Sequence, residues 1–167
     1  AKLALPPKEA YERARSKARL AEYCREIGVR IPPTNVVDSA EEFYKCAREI
    51  NYPAFVKMPT SSAGIGIRKV LSCEEAISAF GDMSRFYKIV DPELLPIIQT
   101  CVGGEDYCST FLFDHGEYRA SMTYHNIVDF PRNKGMGALR ETVTAHPLER
   151  IGQELLGRLG WNGVCEI

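Results

Sequence analysis

The chain has 167 residues, which is enough for one domain with a hydrophobic core or for two small subdomains that share one. Hydrophobic residues make up 45% and charged residues 26%, both ordinary for a globular protein. The 21 basic and 22 acidic side chains leave a net charge of −1, which argues against a nucleic-acid partner, and no apolar run is long enough to span a bilayer.

Six cysteines raise the question of a disulfide framework or a metal site. No two of them form a C-x-x-C pair, and three histidines are too few beside them for a zinc ligand set. A disulfide framework is the alternative, but a chain of this length needs no covalent staples and the cysteines fall mostly inside periodic segments. We therefore expect reduced thiols and a cytoplasmic protein. The six are Cys24, Cys46, Cys73, Cys101, Cys108 and Cys165.

The first half of the chain mixes helical and extended patterns. Apolar residues at helical spacing predict one helix over 8–28, which Gly28 ends, and Ser39 with Glu42 fits the capping box of a second helix. Prolines bias the segment between these helices to an extended arm. A strand, a loop, a returning strand and a third helix follow, predicted over 54–58, 59–66, 67–71 and 72–80.

The second half is dominated by strands. After a polar, irregular stretch over 81–93, alternation predicts strands with turns and a glycine-bearing loop between them, then a helix and a last strand. The strands cover 96–102, 107–114, 118–130 and 164–167, the loop 131–140 and the helix 147–160. Because helices do not alternate regularly with strands, we predict an α+β fold in two subdomains, 1–90 and 91–167, with the break within 80–95.

The loop over 59–66 is the first candidate for chemistry. It lacks the P-loop order, since Lys57 precedes it and a strand follows it, and it lacks the third glycine and the helix of a dinucleotide-binding turn. Its small side chains still let backbone N–H groups approach an anion closely, and a lysine ammonium suits phosphate oxygens. The alternative, which this stretch by itself favours, is an exposed hairpin loop beside a solvated lysine.

Other elements reverse that preference. Lys17 lies in the first predicted helix, QTCVGGED (99–106) links two predicted strands, and Glu166 follows the turn GW-x-G. Together with YP-x-x-VK (52–57) and the Gly/Ser loop, these elements resemble the ATP-grasp superfamily, in the family's order over nearly the whole chain. The stretch 121–164 is most similar to the carbamoyl-phosphate-synthase-like or carboxylate–amine ligase branch.

The resemblance implies ATP held between two α+β subdomains, with Mg²⁺ as the metal. Lys17 and Lys57 match the family's phosphate-binding lysines, and Glu166 matches the first of two acidic metal ligands. Without the resemblance, these residues would be taken for solvated lysines and an edge-strand glutamate. The flexible loop that closes over the phosphates is matched by Ser61, Ser62, Gly64 and Gly66.

The resemblance also implies a base and ribose site. Ile67 matches an apolar adenine contact, and Asp106, or less well Glu105, matches the carboxylate on the ribose hydroxyls. Turn acids are the alternative for that pair. The hinge strand, whose backbone would pair with the adenine edge, is matched by Gln99, Thr100 and Val102, with the Gln99 amide as a further donor or acceptor.

Two departures from the family pattern affect the catalytic assignment. The family places an Arg or Lys near the end of the strand after the HGE turn, but His125 falls closest here, so Arg119, Lys134 or Arg140 would have to take over. Of these candidates, His125 and Arg140 are carried forward as catalytic residues. The family's second metal carboxylate, in an E-x-N pattern, and its N-terminal substrate domain are absent, so we expect the chain to be a piece of a longer protein.

The function implied is ATP-dependent activation of a small carboxylate as an acyl phosphate, which an amine or similar nucleophile then attacks. In such a reaction the protein works by positioning and by neutralising charge rather than by covalent catalysis. The piece itself is expected to be inactive alone and to bind ATP weakly. Two alternatives stay open: a nucleotide-binding module that does not catalyse, and an α+β domain that binds no nucleotide.

Overall fold

The computed structural model describes residues 3–62, 64–130 and 136–167 of the chain. Its α-helices are α1 (Lys8–Arg15), α2 (Lys17–Glu26), α3 (Ala40–Glu49), α4 (Cys73–Phe86) and α5 (His146–Arg158), with a 3-10 turn at Pro92–Leu94. Its strands are β1 (Thr34–Asn35), β2 (Ala54–Lys57), β3 (Ile67–Val70), β4 (Ile97–Thr100), β5 (Tyr107–Asp114), β6 (Glu117–Phe130), β7 (Met136–Val143) and β8 (Gly163–Glu166). The chain forms two compact units: Arg15–Gly103, and Ala1–Ala14 together with Gly104–Ile167.

The unit Arg15–Gly103 is built on a four-stranded antiparallel sheet in the order β1-β4-β2-β3. Helices α3 and α4 contact this sheet, and the apolar core between them is closed to solvent. Phe43 and Phe80 stack in this core with ring centroids 4.3 Å apart. Ser39 and Ser72 cap α3 and α4 by accepting hydrogen bonds from backbone N–H groups, which fixes where each helix begins.

The other unit is built on a second antiparallel sheet, in the order β7-β6-β5-β8. Strand β5 alternates between buried and more exposed residues, as expected for a sheet that buries one face. Phe111 and Phe113 point to the buried face, where they pack with Leu156 of α5, Trp161 and Ala10 of α1. The opposite face of this sheet carries the even-numbered residues of β5.

The helix predicted over 8–28 is wrong in one respect, because it is two helices. The helix is interrupted at Ser16, whose hydroxyl accepts a hydrogen bond from the Arg19 N–H and so caps α2. The Lys17 N–H donates to the Pro59 carbonyl at 2.8 Å instead of continuing α1. A contact with a distant loop therefore decides the break.

Two boundaries in the second half also differ from the predictions. Helix α4 runs six residues beyond the predicted end at Phe80, because Met83 joins the buried side of the same helix. The loop predicted over 131–140 lies partly outside the described residues, and from Met136 onward the chain forms β7. Pairing with β6 overrides the loop signal of Gly137.

Strand β4 follows residue 90, so the sequence-based division assigns it to the second subdomain, whereas in the structure it belongs to the unit Arg15–Gly103. It pairs with β1 on one side and β2 on the other, so it is the second strand of the sheet in the unit Arg15–Gly103. Sequence order alone groups β4 with the strands that follow it, whereas hydrogen bonding groups it with strands that precede it.

All six cysteines lie in the described part of the chain and are free. Every helix within the described ranges is too short or too polar to cross a membrane.

Candidate functional site

The two lysines singled out in the sequence lie in one unit, on different elements. Lys57 ends β2, and its Nζ donates to the Gln99 Oε1 at 2.6 Å and lies 5.1 Å from the centroid of the Phe55 ring. Lys17 begins α2, and its Nζ donates to the Ser61 carbonyl at 2.5 Å and to the Ser61 Oγ at 3.2 Å. We call Lys17 and Lys57 the lysine pair.

The charges of the lysine pair are poorly compensated. Burial lowers the pKa of both side chains below the ordinary 10.5, and the positive charge of Lys17 lowers the pKa of Lys57 further. The hydrogen-bond partners of both are neutral oxygens, and in the described part of the chain neither makes an ion pair with a carboxylate. Two partly desolvated cations without a counter-charge favour the binding of an anion near both ammonium groups.

Both polar atoms of the Gln99 side-chain amide are hydrogen-bonded within the protein. Its Nε2 donates to the Thr34 Oγ1 at 2.7 Å, and that hydroxyl donates to the Pro32 carbonyl at 2.7 Å. Because the single hydroxyl proton of Thr34 is used on Pro32, Thr34 must accept from Gln99, which leaves Oε1 facing Lys57. The Gln99 side chain is therefore engaged with Lys57 and Thr34, and the amide contact to an adenine expected from the sequence would require breaking both bonds.

The loop between β2 and β3 is closed at its base by the Met58 N–H, which donates to the Gly66 carbonyl at 2.7 Å. Gly64 and Gly66 have φ angles of 74° and 67°, which glycine adopts without strain. A Cβ on Gly66 would lie 2.8 Å from the Met58 Cγ, so no larger residue fits without displacing Met58. Ser62 is exposed, while Ser61 is half-buried beside Lys17. Ile67, expected as an apolar adenine contact, is half-buried at the start of β3.

The expected hinge has little free backbone within β4 itself. The Thr100 N–H donates to the Pro33 carbonyl and the Cys101 N–H to the Pro53 carbonyl, each at 2.9 Å. The Thr100 Oγ1 is buried and has no hydrogen-bond partner among the described residues. Val102, beyond the strand, is 60% exposed. The N–H groups of Thr100 and Cys101 are therefore already used, and a backbone donor to a base would have to come from Val102 onward.

The remaining expected residues lie in the other unit. Glu166 is at the end of β8, and its Oε2 accepts hydrogen bonds from the Tyr124 hydroxyl and from the Thr110 Oγ1, the latter at 3.5 Å. The Tyr124 Oη in turn accepts from the Arg140 Nη1 at 3.0 Å, and the Arg140 guanidinium lies 4.4 Å from the centroid of the Tyr124 ring. We call Glu166, Tyr124, Arg140 and Thr110 the carboxylate cluster.

Tyr124 was not expected as a site residue. It is 4% exposed although it carries a hydroxyl on the less covered face of the sheet. Burial, and next the hydrogen bond to Glu166, raise the pKa of Tyr124, so the hydroxyl stays protonated and acts as a donor. In the sequence, a tyrosine at an alternating position looks like any strand residue, since its partners Glu166 and Arg140 are 42 and 16 residues away.

His125 lies on the other face of the same sheet. In the register of β5 and β6, His125 is opposite Tyr107 and Tyr124 is opposite Cys108, so neighbouring residues point to opposite faces. The His125 ring stacks on Tyr107 with centroids 4.9 Å apart, and its Nε2 is 3.9 Å from the Glu105 Oε2. The structure thus links Arg140 to Glu166 through the Tyr124 hydroxyl, whereas His125 points to the opposite face.

The other candidates for an anion contact and for the ribose are placed as follows. Arg119 is paired with Asp114 at 2.9 Å and with Glu117 at 2.8 Å beside a turn. Lys134 lies outside the described residues. Asp106 is exposed, and its carbonyl accepts a hydrogen bond from the Asn126 N–H at 3.0 Å.

A magnesium ion fits this chain only as a partner of phosphate. Within the described residues, no three His, Cys, Asp or Glu side chains are grouped so that they could hold a metal. Glu166 offers one carboxylate whose Oε1 makes no hydrogen bond within the described chain. Magnesium commonly takes one or two carboxylates and completes its shell with phosphate oxygens and water, so a single carboxylate is compatible with it.

Several solved structures share the fold of this chain. Biotin carboxylase from Campylobacter jejuni, solved as a β-γ-ATP complex, matches 97% of this chain with a TM-score of 0.78 at 16% identity. The biotin carboxylase domain of 2-oxoglutarate carboxylase from Hydrogenobacter thermophilus, solved with MgADP, ADP and bicarbonate, matches 97% with a TM-score of 0.70 at 20% identity. The chain covers 39% and 38% of these proteins.

Among curated proteins, D-alanine–D-alanine ligase B from Chromobacterium violaceum is 30% identical over 80 residues, which are 48% of this chain and 24% of the ligase. No protein-family model matches the chain. The structural neighbours are ATP-grasp ligases, so the resemblance noted in the sequence is confirmed for the fold, and the α+β class with it. The chain spans well under two thirds of these proteins, and at such identities its chemistry depends on its own residues.

Proposed function

We propose that this chain, which has the ATP-grasp fold, is the ATP-binding region of a ligase that activates a carboxylate as an acyl phosphate and joins it to an amine or similar nucleophile. The observation that carries the proposal is the lysine pair. Two partly buried ammonium groups meet neutral partners, although buried cations are normally matched by acids. A triphosphate would supply the missing negative charge.

In this proposal the lysine pair binds phosphate oxygens. The ammonium of Lys57 is held in place by Gln99, and Lys17 gives up one of its two bonds to Ser61 to reach the ligand. The backbone N–H groups of the glycine-bearing loop surround the same anion. Ile67 contacts the base together with the main chain at Val102, and Asp106 contacts the ribose.

Glu166 is proposed to hold the magnesium ion of the bound nucleotide. When bound, magnesium neutralises charge on the phosphates and favours attack at the terminal phosphorus. Arg140 is the better of the two catalytic candidates, because it lies in the same cluster as Glu166 while His125 points to the opposite face. Arg140 also makes no ion pair within the described chain, so its charge is available for an anionic acyl phosphate or phosphate.

The test is nucleotide-dependent stabilisation of the 167-residue chain. We expect millimolar ATP to raise its melting temperature, more with Mg²⁺ than without, because a ligand that binds the folded state stabilises it. Lys57→Met should remove this shift. Lys69→Met is the matched control: Lys69 is exposed on β3, opposite Phe55 in the register with β2, and its replacement should leave the shift intact.

The outcomes separate the alternatives. A melting temperature that ATP does not change, with or without Mg²⁺, would support a domain without nucleotide and contradict the proposal. A shift that Lys57→Met retains would move the phosphate site elsewhere. ATP binding by the 167 residues together with no release of ADP and phosphate by the longer protein, given carboxylates and amines, would favour the module that binds without catalysing.

A further inference from the structure

The proposed function leaves the buried hydroxyl of Tyr124 without a role. We infer that Tyr124, fixed by Arg140, is a positioning residue for Glu166: it occupies one carboxylate oxygen so that the other faces a magnesium ion bound with the nucleotide. This inference rests on the proposed function and deepens it, since it names the residue that controls the metal contact.

The two oxygens of Glu166 are used unequally. Both hydrogen bonds, from the Tyr124 hydroxyl and from the Thr110 Oγ1, go to Oε2, and Oε1 makes none within the described residues. A carboxylate held by one oxygen cannot rotate freely, which prepares the other oxygen for a single bond to a cation. Glu166 belongs to an exposed edge strand, where an unrestrained glutamate would sample several rotamers.

The direction of the Tyr124 hydroxyl is set by Arg140. A guanidinium has donors and no acceptor, so the bond from the Arg140 Nη1 to the Tyr124 Oη at 3.0 Å uses a lone pair of the oxygen. The single hydroxyl proton is then left for Glu166. The ring itself is locked, because Tyr124 is almost fully buried and the guanidinium covers one face of it at 4.4 Å.

A neutral hydroxyl between Arg140 and Glu166 preserves the charge of the carboxylate. A direct pair between an arginine and a carboxylate is often bidentate and then uses both oxygens, as the strongest such pairs do. Arg119 shows the direct kind of contact, since it bonds Asp114 and Glu117 without an intermediary. At Glu166 the relay through Tyr124 orients the carboxylate and leaves Oε1 for a cation.

The test measures metal binding rather than turnover. Mn²⁺ is titrated in the presence of ATP and followed by electron paramagnetic resonance, and ATP binding without metal is measured by calorimetry. Tyr124→Phe, which removes the hydroxyl and keeps the ring, should weaken Mn²⁺ binding to the ATP-bound chain about tenfold, as loss of a residue that supports a metal ligand does. Metal-free ATP binding should not change.

A matched control lies on the same strand. Tyr118 of β6 also has a hydrogen-bonded hydroxyl, 2.8 Å from the Ser121 Oγ, but it is exposed and remote in register from Glu166. Tyr118→Phe should leave Mn²⁺ binding unchanged. Melting curves of both variants without ligand show whether either substitution harms the fold itself.

A double substitution decides whether Tyr124 acts through Glu166. Glu166→Gln should weaken Mn²⁺ binding, and adding Tyr124→Phe should then have no further effect, because the oriented oxygen is already lost. Equal effects of Tyr124→Phe with and without Glu166→Gln, or an unchanged Mn²⁺ affinity in Tyr124→Phe, would overturn the inference alone. Absence of ATP binding by the unaltered chain would overturn the proposed function and this inference with it.

Discussion

The lysine pair and the carboxylate cluster treat charge in opposite ways. Lys17 and Lys57 are close enough for one charge to lower the pKa of the other, and both donate to neutral oxygens. Arg140 and Glu166 have opposite charges and are joined through a neutral hydroxyl. The lysine pair thus has no counter-charge within the described chain, whereas the carboxylate cluster is already ordered and has one carboxylate oxygen, Oε1 of Glu166, without a hydrogen bond there. Because the lysine pair and the carboxylate cluster share no residue, substitutions should affect phosphate binding and metal binding separately.

The largest effect should come from removing the lysine pair. Replacing both Lys17 and Lys57 by methionine is expected to weaken tripolyphosphate binding, measured by calorimetry without metal, at least about hundredfold, since a hydrogen bond to a charged group contributes about 1.5–3 kcal/mol. Tripolyphosphate has neither base nor ribose, so it reports on the phosphate site alone. Glu166→Gln is the counterpart and should leave this affinity unchanged; a loss of similar size there would contradict the separation.

The next effect is on the loop that accompanies the lysine pair. Gly66→Ala should destabilise the chain by about 1–3 kcal/mol in urea denaturation, because the residue has a φ of 67° and its Cβ would meet Met58 at 2.8 Å. Gly81 in α4 provides the control, since a Cβ there meets nothing within 4 Å. Gly81→Ala should stabilise the chain by about 0.5–1 kcal/mol, which is the helix preference of alanine. The same sign for both would argue against the loop geometry.

The response to pH should distinguish the two regions next. In the proposed function triphosphate binds the protonated lysines, so its stabilising effect should be complete at neutral pH. The effect should decline as the pH rises through the pKa values of the lysines, which burial places below 10.5. The measurement is the tripolyphosphate-induced melting shift from neutral pH to 10.5. Lys57→Arg should extend the shift to higher pH, because a guanidinium keeps its charge. A shift that stays constant up to 10.5 in the unaltered chain would show that these lysines do not carry it.

The smallest effect concerns Gln99. Gln99→Leu should weaken the binding of ATP and GTP alike, because the Gln99 amide bonds Lys57 and Thr34 rather than the ligand. The loss should be about threefold to tenfold, the size of an ordinary net hydrogen bond of about 0.5–1.5 kcal/mol, since Gln99 only positions Lys57. The ratio of the two affinities, measured by competition, should remain the same. A changed ratio would mean that the Gln99 side chain contacts the base after all.

The sequence predicted best what depends on neighbouring residues. The hairpin of β2 and β3, its glycine-bearing loop and the cap at Ser39 follow from local patterns, and all are present. The α+β class and the resemblance to ATP-grasp proteins rested on the order of the elements along the chain, which can be predicted without knowing how they pack. The roles assigned to individual site residues from that resemblance stay predictions.

What the sequence could not predict depends on partners far along the chain. Gln99 is fixed by Thr34, 65 residues away, and Tyr124 by Glu166, 42 residues away. The break before α2 depends on a bond to Pro59, which no helix pattern contains. The separation of His125 from Arg140 likewise follows from strand register, which a one-residue change would reverse.

The break at Ser16 has a consequence for how the fold tolerates its own charges. The first turns of α1, α3, α4 and α5 each contain an acidic residue, which complements the positive end of a helix, whereas α2 begins with Lys17 and has no acidic residue in its first turn. Arg19, in the same turn, is paired with Glu93 of the 3-10 turn, whereas Lys17 donates only to neutral oxygens within the described chain. Lys17 at the amino end of α2 thus lowers the stability of the helix, and in the proposed function a bound polyanion compensates this loss. Phosphate-containing buffers and chloride buffers of equal ionic strength should accordingly yield different melting temperatures for the same chain.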